Sequence, residues 1–443
     1  MKEKSISTFL NNDYSDAALY MSYRALPSYI DGLKNSGRKI VYTAKKKNLK
    51  DLLKVSTYAN LVIAESNYLH GDMALQGVVV TSAQKYLGSN NLPVLEASGN
   101  FGTRFLPESS SARYIYTRPQ PYFYELFRKE DDINLSSQMF EGDEIEPCFY
   151  VPTVPLVLIN GSTGIGVGFS AKILCRPLDN IITAIRNRLT RKKNTPDLFV
   201  PGWEGFKGQV IDLGNNKWDI RGVADIKGKK VHITELPVPY SLMDYLEILK
   251  KLKEKGLIDR YLDMSDSTTD TFEFEVTLSL EESQKSKDEI FNDLKLSNTI
   301  TETLTCIDEN NAIREFNSIQ EIFDAYYTIK IEYLQKRIQS EIERLSKEAS
   351  ELKEVHNFIE DVIANKINLK NKRAIVEKDI KARGYTIVDR LLAMPLYSIT
   401  EEKALEAKKK WEQKEEELEK MKKENPVTLW KKDLDALEKK IHG

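Results

Sequence analysis

The chain has 443 residues, 41% hydrophobic and 30% charged, with a formal net charge of −2. This length is enough for two to four domains, and the near-neutral balance excludes a chain that is basic as a whole. Its three cysteines, Cys148, Cys175 and Cys306, are odd in number and far apart, which is not typical of a disulfide framework or a zinc site. The sequence has no apolar run of about 18 residues, and its first residues lack the apolar core of a signal peptide.

The first predicted elements are helices, and the second of them is basic. Residues 8–23 are predicted to form a helix that ends before Pro27, because the residue preceding a proline avoids the helical region. A loop at residues 35–37 is followed by a helix from Arg38 onward. The segment 34–50 contains seven basic residues and no acidic one. Such a patch is either a solvated helix surface or a phosphate contact that sets affinity without reading sequence.

Residues 57–88 are predicted to be mainly helical, with a break at His70 and Gly71. Asp72 is a candidate N-cap for the helix that follows the break. Two helices around a short glycine turn, after a basic helix, suggest a helix-turn-helix or winged-helix unit. His70 is then either a turn residue or a base near a phosphate.

Residues 113–118 are of strand-forming type and carry two tyrosines. In an extended strand, Tyr114 and Tyr116 would share one face, and Arg113 and Ile115 would share the other. A tyrosine can attack a phosphate if a base takes its proton and a cation offsets the charge that develops on phosphorus. Arg113 can supply that cation, because guanidinium matches phosphate geometry. Taken alone, however, the segment is more typical of a half-buried strand with two packed tyrosines.

A buried apolar strand is predicted within residues 147–159, leading into the glycine-rich segment 160–168. Residues 166–171 formally fit the dinucleotide-binding fingerprint. We reject that interpretation because no ten-residue helix fits before the next proline and no ribose-binding acid follows at the required spacing. Ile165 is an apolar residue flanked by glycines, and such a tip can wedge between base pairs and kink a duplex.

The second half of the chain changes character twice. Turn signals at residues 214–216 and 227–229, between strand-like segments, predict a separate α+β domain over about 203–300. From Ser318 a long helix is predicted, with a capping box and apolar residues spaced as in a coiled coil. A compact segment and a second such helix, starting at Ser398, complete a predicted antiparallel hairpin. A last helix is predicted after the break at residues 425–426. Taken alone, that hairpin indicates mechanical spacing or dimerisation.

Six motifs in this order resemble those of the DNA breakage-rejoining subunit of type IIA topoisomerases, and the chain most resembles the medium subunit of the T4-type phage enzymes. The resemblance covers nearly the whole chain. The motifs are Arg24–Pro27 with Asp31–Lys34 and Arg38-Lys39, His70–Asp72, Gly99–Gly102, Ala112–Tyr114, Asn160–Gly166, and Leu429–Leu437.

The resemblance implies a multidomain α+β fold. The expected domains are an N-terminal arm helix (1–24), a winged-helix DNA-binding and cleavage domain with the catalytic tyrosine (25–178), an α/β tower domain (179–317), and a long antiparallel coiled-coil hairpin (318–443) with a small globular C-gate dimerisation tip at about 367–400.

The resemblance also implies roles for individual residues. Tyr114, directly after the arginine, is the expected nucleophile, and Arg113 the expected transition-state cation. Ile165 is the expected intercalating wedge. The remaining expected DNA-binding residues are Arg24, Lys34, Arg38, Lys39, His70, Asn160 and Ser162, with His70 as a helper near the scissile phosphate.

The family resemblance places the cofactors on another chain. The sequence has no Gly-x-x-x-x-Gly-Lys-Ser/Thr motif, so ATP is expected on a separately encoded partner subunit that also holds most of the Mg²⁺ coordination. Asp433 and Asp435 are the one candidate carboxylate pair, but positions i and i+2 of a helix point apart. No metal is therefore expected to be held by this chain itself.

The implied activity is ATP-dependent passage of one duplex through a transient double-strand break, with 5′-phosphotyrosyl links, to relax or decatenate DNA. The expected partners are double-stranded DNA, a second copy of the chain and the separately encoded ATPase, with no membrane. The expected location is the cytoplasm of a bacterial or phage-infected cell, associated with the nucleoid. The alternative class is a non-catalytic DNA-bridging coiled-coil protein, which would not need Arg113 beside Tyr114.

Overall fold

The computed structural model describes residues 5–369 and 371–443, apart from the side chain of Leu396. The start of the predicted arm helix, residues 1–4, and position 370 of the predicted tip lie outside the described residues. The chain divides into two compact units, Met1–Lys330 with Asp433–Gly443, and Ile331–Lys432. Within the described residues, none of the helices combines the length and apolar character that a membrane crossing requires.

The first unit opens with helices packed around a small antiparallel sheet of order β1-β3-β2. A π-helical segment, Phe9–Tyr14, separates the first two helices. The elements are α1 (Ile6–Thr8), α2 (Ser15–Ala25), α3 (Asn35–Lys47), β1 (Leu53–Lys54), α4 (Val55–Ser66), α5 (Asp72–Ala83), β2 (Leu95–Ser98), β3 (Tyr116–Pro119) and α6 (Phe123–Leu126).

Most ends of these helices follow their sequence signals, but two predicted starts are wrong. The loop predicted at residues 35–37 is the first turn of α3, which begins at Asn35 and not at Arg38, because short polar residues are common at helix starts as well as in loops. Leu26, before Pro27, is extended, which confirms the predicted end of α2. Asn48 and Asn67 take the left-handed conformation after α3 and α4, which asparagine tolerates better than most residues. The predicted N-cap at Asp72 is wrong: Gly71 precedes α5, and Asp72 is its first residue.

Two strand predictions in this region are also wrong. The backbone from Ala112 to Tyr114 forms a turn, and β3 begins only at Tyr116, where the chain pairs with both β1 and β2. The apolar run predicted as a strand contains instead the one-turn helix α7 (Leu156–Ile159), whose four residues are all buried. A run buried on every side has no periodicity by which a strand and a helix can be told apart.

The rest of this region consists of two hairpins and a longer helix. The elements are β4 (Ser137–Phe140), β5 (Asp143–Pro147), β6 (Ser162–Ile165), β7 (Ser170–Ile173) and α8 (Leu178–Leu189), with 3-10 turns at Lys129–Asn134 and Pro196–Phe199.

The α+β region contains an antiparallel sheet of order β10-β11-β13-β12 and a second sheet of order β14-β9-β8. Both predicted hairpin turns, at residues 214–216 and 227–229, connect paired strands. Alternate residues of β11 and β13 pack against Tyr245 and Leu249 of α9 to form the local core. The elements are β8 (Gln209–Asp212), β9 (Lys217–Arg221), β10 (Val223–Lys227), β11 (Lys230–Glu235), α9 (Leu242–Glu254), β12 (Ile258–Asp263), β13 (Phe274–Leu278), a 3-10 turn (Glu282–Gln284), α10 (Lys287–Asp293), β14 (Ser297–Thr301), β15 (Thr305–Ile307) and β16 (Ile313–Glu315).

Long helices dominate the remainder of the chain. Ser318 accepts a hydrogen bond from Glu321 N (3.2 Å), as predicted for the start of the first one. The second starts at Glu401 with Thr400 as its N-cap, and not at Ser398 as predicted. The helices are α11 (Ile319–Ile363), α12 (Arg373–Ala382), α13 (Val388–Leu392), α14 (Glu401–Lys422) and α15 (Pro426–His442), with a 3-10 turn at Leu396–Ser398.

Within the second unit, α11 and α14 run antiparallel. His356 Nδ1 lies 3.1 Å from Ala404 O, whereas the earlier residue Glu348 lies 3.6 Å from the later residue Lys414. The 45 residues of α11 span about 68 Å at 1.5 Å per residue. A small core that includes Phe358 of α11 lies where α12 and α13 pack.

Candidate functional site

The turn that holds Tyr114 is fixed by the start of α4. Val55 N donates a hydrogen bond to Ile115 O (3.0 Å), and Ser56 N donates one to Ala112 O (3.2 Å). The Ile115 side chain is buried, whereas that of Tyr114 is 72% exposed. The backbone on both sides of Tyr114 is therefore anchored while its phenol faces solvent.

The neighbouring side chains of the motif are placed differently from one another. Arg113 is exposed and lies in the same turn as Tyr114. Tyr116 is 39% exposed and lies within β3, opposite Lys54 of β1 and Ser98 of β2. The prediction that both tyrosines share one face of a strand is therefore wrong, because Tyr114 precedes the strand.

The loop before this turn is held by a glycine and a buried ion pair. Gly99 has φ +105°, and a Cβ there would lie 3.0 Å from the Ile115 side chain. The guanidinium of Arg104 pairs with Glu235 at the end of β11 and also donates to Leu236 O (2.5 Å). These contacts join the loop to the core of the four-stranded sheet.

Ile165 lies at the end of the β6–β7 hairpin and is 83% exposed. The flanking glycines permit this hairpin to lie against the end of α2. A Cβ on Gly164 would lie 2.0 Å from Ala25 O, and a Cβ on Gly166 would lie 2.9 Å from Ser22 Oγ. The hairpin thus presents one apolar side chain on a backbone seated against a helix.

Three other predicted DNA-binding residues surround this hairpin. Lys34 is half-buried and donates to Thr163 O (2.6 Å), and burial lowers its pKa. The side-chain amide of Asn160 exchanges two hydrogen bonds with the backbone of Leu92, at 2.7 and 2.8 Å. Ser162 is half-buried at the start of β6. In this conformation Lys34 and Asn160 hold loops in place.

Four of the predicted DNA-binding residues line one cleft of about 400 Å³ between the end of α2, the start of α3 and the loop before α5. They are Arg24, Arg38, Lys39 and His70.

Arg38 and Lys39 are buried in ion pairs at the back of this cleft. Arg38 Nε lies 2.8 Å from the fully buried Asp31 carboxylate, which also accepts from Tyr150 N (3.0 Å). Lys39 Nζ lies 2.8 Å from the buried carboxylate of Glu146 and donates to Ser66 O (2.7 Å). A direct phosphate contact by either cation would require its ion pair to open, so this assignment stays a prediction.

His70 is half-buried and contacts two tyrosines. Tyr20 Oη lies 2.8 Å from His70 Nε2, and the Tyr68 ring meets the imidazole edge-on at 5.4 Å. Burial, followed by the positive charges of Arg24 and Lys39, lowers the pKa of His70 below its usual 6.5. The imidazole is therefore mainly neutral near pH 7.

Sequence reasoning missed three side chains that shape this cleft: Tyr20, Asp31 as an ion-pair partner, and Glu146. Tyr20 lies four residues before Arg24, and that spacing on one helix could have indicated a shared face. Glu146 carries no such signal, because it lies 107 residues from Lys39 in the sequence.

The candidate carboxylate pair, Asp433 and Asp435, is engaged in two separate ion pairs. Asp433, 2% exposed, pairs with Arg128 at 3.1 Å, whereas Asp435, 65% exposed, pairs with Arg186 at 2.6 Å. The two carboxylates thus point to different neighbours. Across residues 5–369 and 371–443, no three His, Cys, Asp or Glu side chains are grouped as metal ligands.

Comparison with known proteins identifies the family. The family of the A-type subunits of DNA gyrase and topoisomerase IV matches residues 24–435. The mitochondrial DNA topoisomerase 2 of Dictyostelium discoideum is 30% identical over 99% of this chain and 35% of its own length. DNA topoisomerase 2-alpha of Rattus norvegicus is 30% identical over 98% of this chain and 31% of its own length. The chain thus spans about a third of the length of these curated relatives.

A solved structure of the same family is similar to this chain over nearly its whole length. The crystal structure of the Plasmodium falciparum topoisomerase II DNA-binding, cleavage and re-ligation domain superposes with a TM-score of 0.86 at 29% identity, over 98% of this chain and 64% of that one. The mixed helical and sheet architecture of this chain is therefore that of the topoisomerase II cleavage region. The chain belongs to the family of DNA gyrase and topoisomerase IV A-type subunits and corresponds to the breakage-rejoining region of type IIA topoisomerases.

Proposed function

We propose that this chain is the DNA-cleaving and rejoining part of an ATP-dependent type II topoisomerase, with Tyr114 as the nucleophile. The observation that carries the proposal is the exposed phenol of Tyr114 on an anchored turn, beside the exposed Arg113. A phenol must lose its proton as it attacks, so the attack needs a proton acceptor, and the charge that develops on phosphorus needs a cation.

The chemical step is an exchange of phosphodiester bonds. The Tyr114 oxygen forms a bond to phosphorus and loses its proton, while the bond from phosphorus to the 3′ oxygen breaks and that oxygen takes up a proton. The products are a 5′-phosphotyrosyl link and a free 3′ hydroxyl. Arg113 offsets the negative charge of the transition state, and the neutral His70 assists near the scissile phosphate. Rejoining is the reverse reaction and needs no nucleotide.

The proposed domains follow the expected family arrangement. The helices α3, α4 and α5 with the β1-β3-β2 sheet would form a winged-helix unit within 25–178, preceded by an arm helix at 1–24. Residues 179–317 would form the tower, and 318–443 the coiled-coil hairpin with its C-gate tip at about 367–400. Two copies joined through the cleavage domain and the tip would cut both strands.

Duplex binding would combine phosphate contacts with bending. Bending a duplex sharply costs about 1–6 kcal/mol by elastic estimates. Insertion of Ile165 between base pairs, with contacts from exposed cations such as Arg24, would offset that cost.

ATP hydrolysis and Mg²⁺ binding would be supplied outside this chain. We infer that a separately encoded subunit supplies the ATPase and the Mg²⁺ site, and that the complex relaxes or decatenates DNA in the cytoplasm, at the nucleoid. The particular similarity to T4-type phage enzymes stays a prediction.

A cleavage trap tests the proposal. The reaction contains the chain, its metal-binding partner, supercoiled DNA and Mg²⁺ or Ca²⁺. It is stopped with detergent, and the products are digested with protease. The expected product is linear DNA with protein on its 5′ ends. This product should be absent with Tyr114→Phe and present with Tyr116→Phe. DNA binding without a covalent complex, with a partner shown to be competent, would favour the non-catalytic DNA-bridging function instead.

A further inference from the structure

The arm helix α2 reaches the cleft through a polar contact with His70. Tyr20 Oη lies 2.8 Å from His70 Nε2, although the two residues are 50 positions apart in the sequence. One helical turn later, the guanidinium of Arg24 lies over the Tyr20 ring at 5.8 Å. All three side chains line the same cleft. Tyr20 therefore lies between two residues with proposed roles at the scissile DNA.

We propose that Tyr20 is a positioning residue, whose hydroxyl orients the His70 imidazole for its role in DNA cleavage. The inference rests on the proposed function, since it assigns Tyr20 a part in the same reaction. It adds a residue of the arm helix, outside all the sequence motifs described above, to the group that sets the cleavage geometry.

The contacts around His70 explain why one hydrogen bond is sufficient. The edge-on Tyr68 ring, at an interplanar angle of 78°, limits the tilt of the imidazole. The Tyr20 hydroxyl can donate to Nε2 or accept from it, so the 2.8 Å contact is compatible with either tautomer and acts on the rotation of the ring. Loss of the hydroxyl would leave the ring in place with its rotation unspecified.

The exposure of the Tyr20 side chain allows a role in orienting His70 to be distinguished from a purely structural role. Its side chain is 52% exposed, so Tyr20→Phe removes a hydroxyl without opening the core. The aromatic ring under Arg24 is also retained in this variant. Tyr14→Phe is a matched control, because Tyr14 is 50% exposed on the same arm and lies outside the cleft lining.

The first measurement is spectroscopic and does not depend on activity. The chain has 4 histidines, so ¹⁵N-histidine labelling gives four imidazoles, and His70→Ala identifies the signal of His70. Tyr20→Phe is expected to shift the ring ¹⁵N resonances of His70 alone, and Tyr14→Phe to shift none. Unchanged His70 resonances in Tyr20→Phe would overturn the proposal.

The second measurement is the rate of covalent complex formation at saturating DNA. Tyr20→Phe is expected to lower this rate about fivefold, as for the loss of one hydrogen bond, with DNA affinity changed less than about twofold. In the His70→Ala background Tyr20→Phe is expected to have no further effect, since its role is exerted through His70. Tyr14→Phe is expected to match the wild type.

Each other outcome contradicts a particular step. An unchanged or faster rate in Tyr20→Phe, or an equal loss with and without His70, overturns the positioning role while the proposed function stands. A wild-type chain that forms no covalent complex with a competent partner overturns the proposed function, and this inference with it.

Discussion

The turn at residues 112–115 and the helix α3 place their predicted functional side chains in opposite ways. In the turn, the backbone is hydrogen-bonded to the start of α4 and the Tyr114 phenol is exposed. In α3, the cations of Arg38 and Lys39 are buried and paired with carboxylates. The first region fixes the backbone and leaves its side chain available, whereas the second uses its side chains to fix the backbone of its neighbours.

This difference separates two ways in which a motif residue can serve the proposed DNA cleavage. The exposed residues Tyr114 and Ile165 can be changed with little effect on folding, so their loss should appear in the reaction. The buried cations Arg38 and Lys39 hold the loops that shape the cleft, so their loss should appear first in stability. Substitutions in each region can therefore break or sharpen the comparison.

Arg38→Ala should produce the largest loss of stability, about 3–5 kcal/mol, because it leaves the Asp31 carboxylate buried and unpaired. The shift of the chemical denaturation midpoint measures it. Lys47→Ala is the control: its ion pair with Glu65 is 2.5 Å long but the lysine side chain is 43% exposed, so a change below about 1 kcal/mol is expected. Equal losses of stability in the two variants would mean that the buried ion pair stabilises the fold no more than the exposed one.

Gly164→Ala should cost about 1–3 kcal/mol, because its Cβ would overlap Ala25 O and displace the β6–β7 hairpin from α2. The same denaturation experiment serves here. A Cβ at Gly77, within α5, meets nothing within 4 Å, so Gly77→Ala should instead stabilise the chain by up to ~1 kcal/mol. A stable Gly164→Ala variant would show that the hairpin does not depend on this close approach.

Ile165→Ala should leave stability unchanged and lower DNA cleavage about tenfold, since the truncated side chain no longer offsets the cost of bending the duplex. Cleavage rates, together with end-to-end fluorescence transfer in a labelled duplex, would separate bending from chemistry. Leu280→Ala, which removes another exposed apolar side chain (62% exposed), should change neither. Normal bending by Ile165→Ala would rule out the wedge.

The smallest expected effect is a pH dependence from His70. Its pKa is lowered by burial and by the charges of Arg24 and Lys39, so the folded chain binds this proton less tightly than the unfolded chain. The associated stability is complete above pH 6.5 and is lost as the pH falls through the lowered folded pKa. His70→Gln should remove this part of the acid sensitivity, as melting midpoints between about pH 5 and 8 would show. Parallel pH curves for the two proteins would contradict the assignment.

Local signals in the sequence predicted much of the fold. Pro27 marked the end of α2, glycine and asparagine marked the β8–β9 turn, and Ser318 marked the start of α11. Errors at Arg38, Asp72 and Ser398 shifted the start of a helix by one to three residues. The larger errors came where tertiary contacts decide. The run containing α7 is buried on every side and so has no period, and the turn before β3 is set by hydrogen bonds from α4, about 60 residues earlier in the sequence.

The candidate site was also predictable only in part, because some of its residues meet only in the folded chain. The motif order selected Tyr114 and Ile165 as candidates, and both side chains are exposed, as contact with a ligand requires; their roles stay predictions. The sequence could not show that Glu146 takes up the charge of Lys39, or that Tyr20 meets His70, because each pair is brought together only by the folded chain.

The most direct test of the central claim is to locate the nucleotide on the trapped protein. The covalent complex is digested with nuclease and then trypsin, and the peptide that begins after Arg113 is fragmented in a mass spectrometer. Trypsin does not cleave before Pro119, so this peptide runs to Arg128 and contains four tyrosines, Tyr114, Tyr116, Tyr122 and Tyr124. Fragment ions must therefore assign the added nucleotide mass to one of them. We predict that the mass lies on Tyr114. A nucleotide on Tyr116, or on any residue outside the turn, would contradict the account.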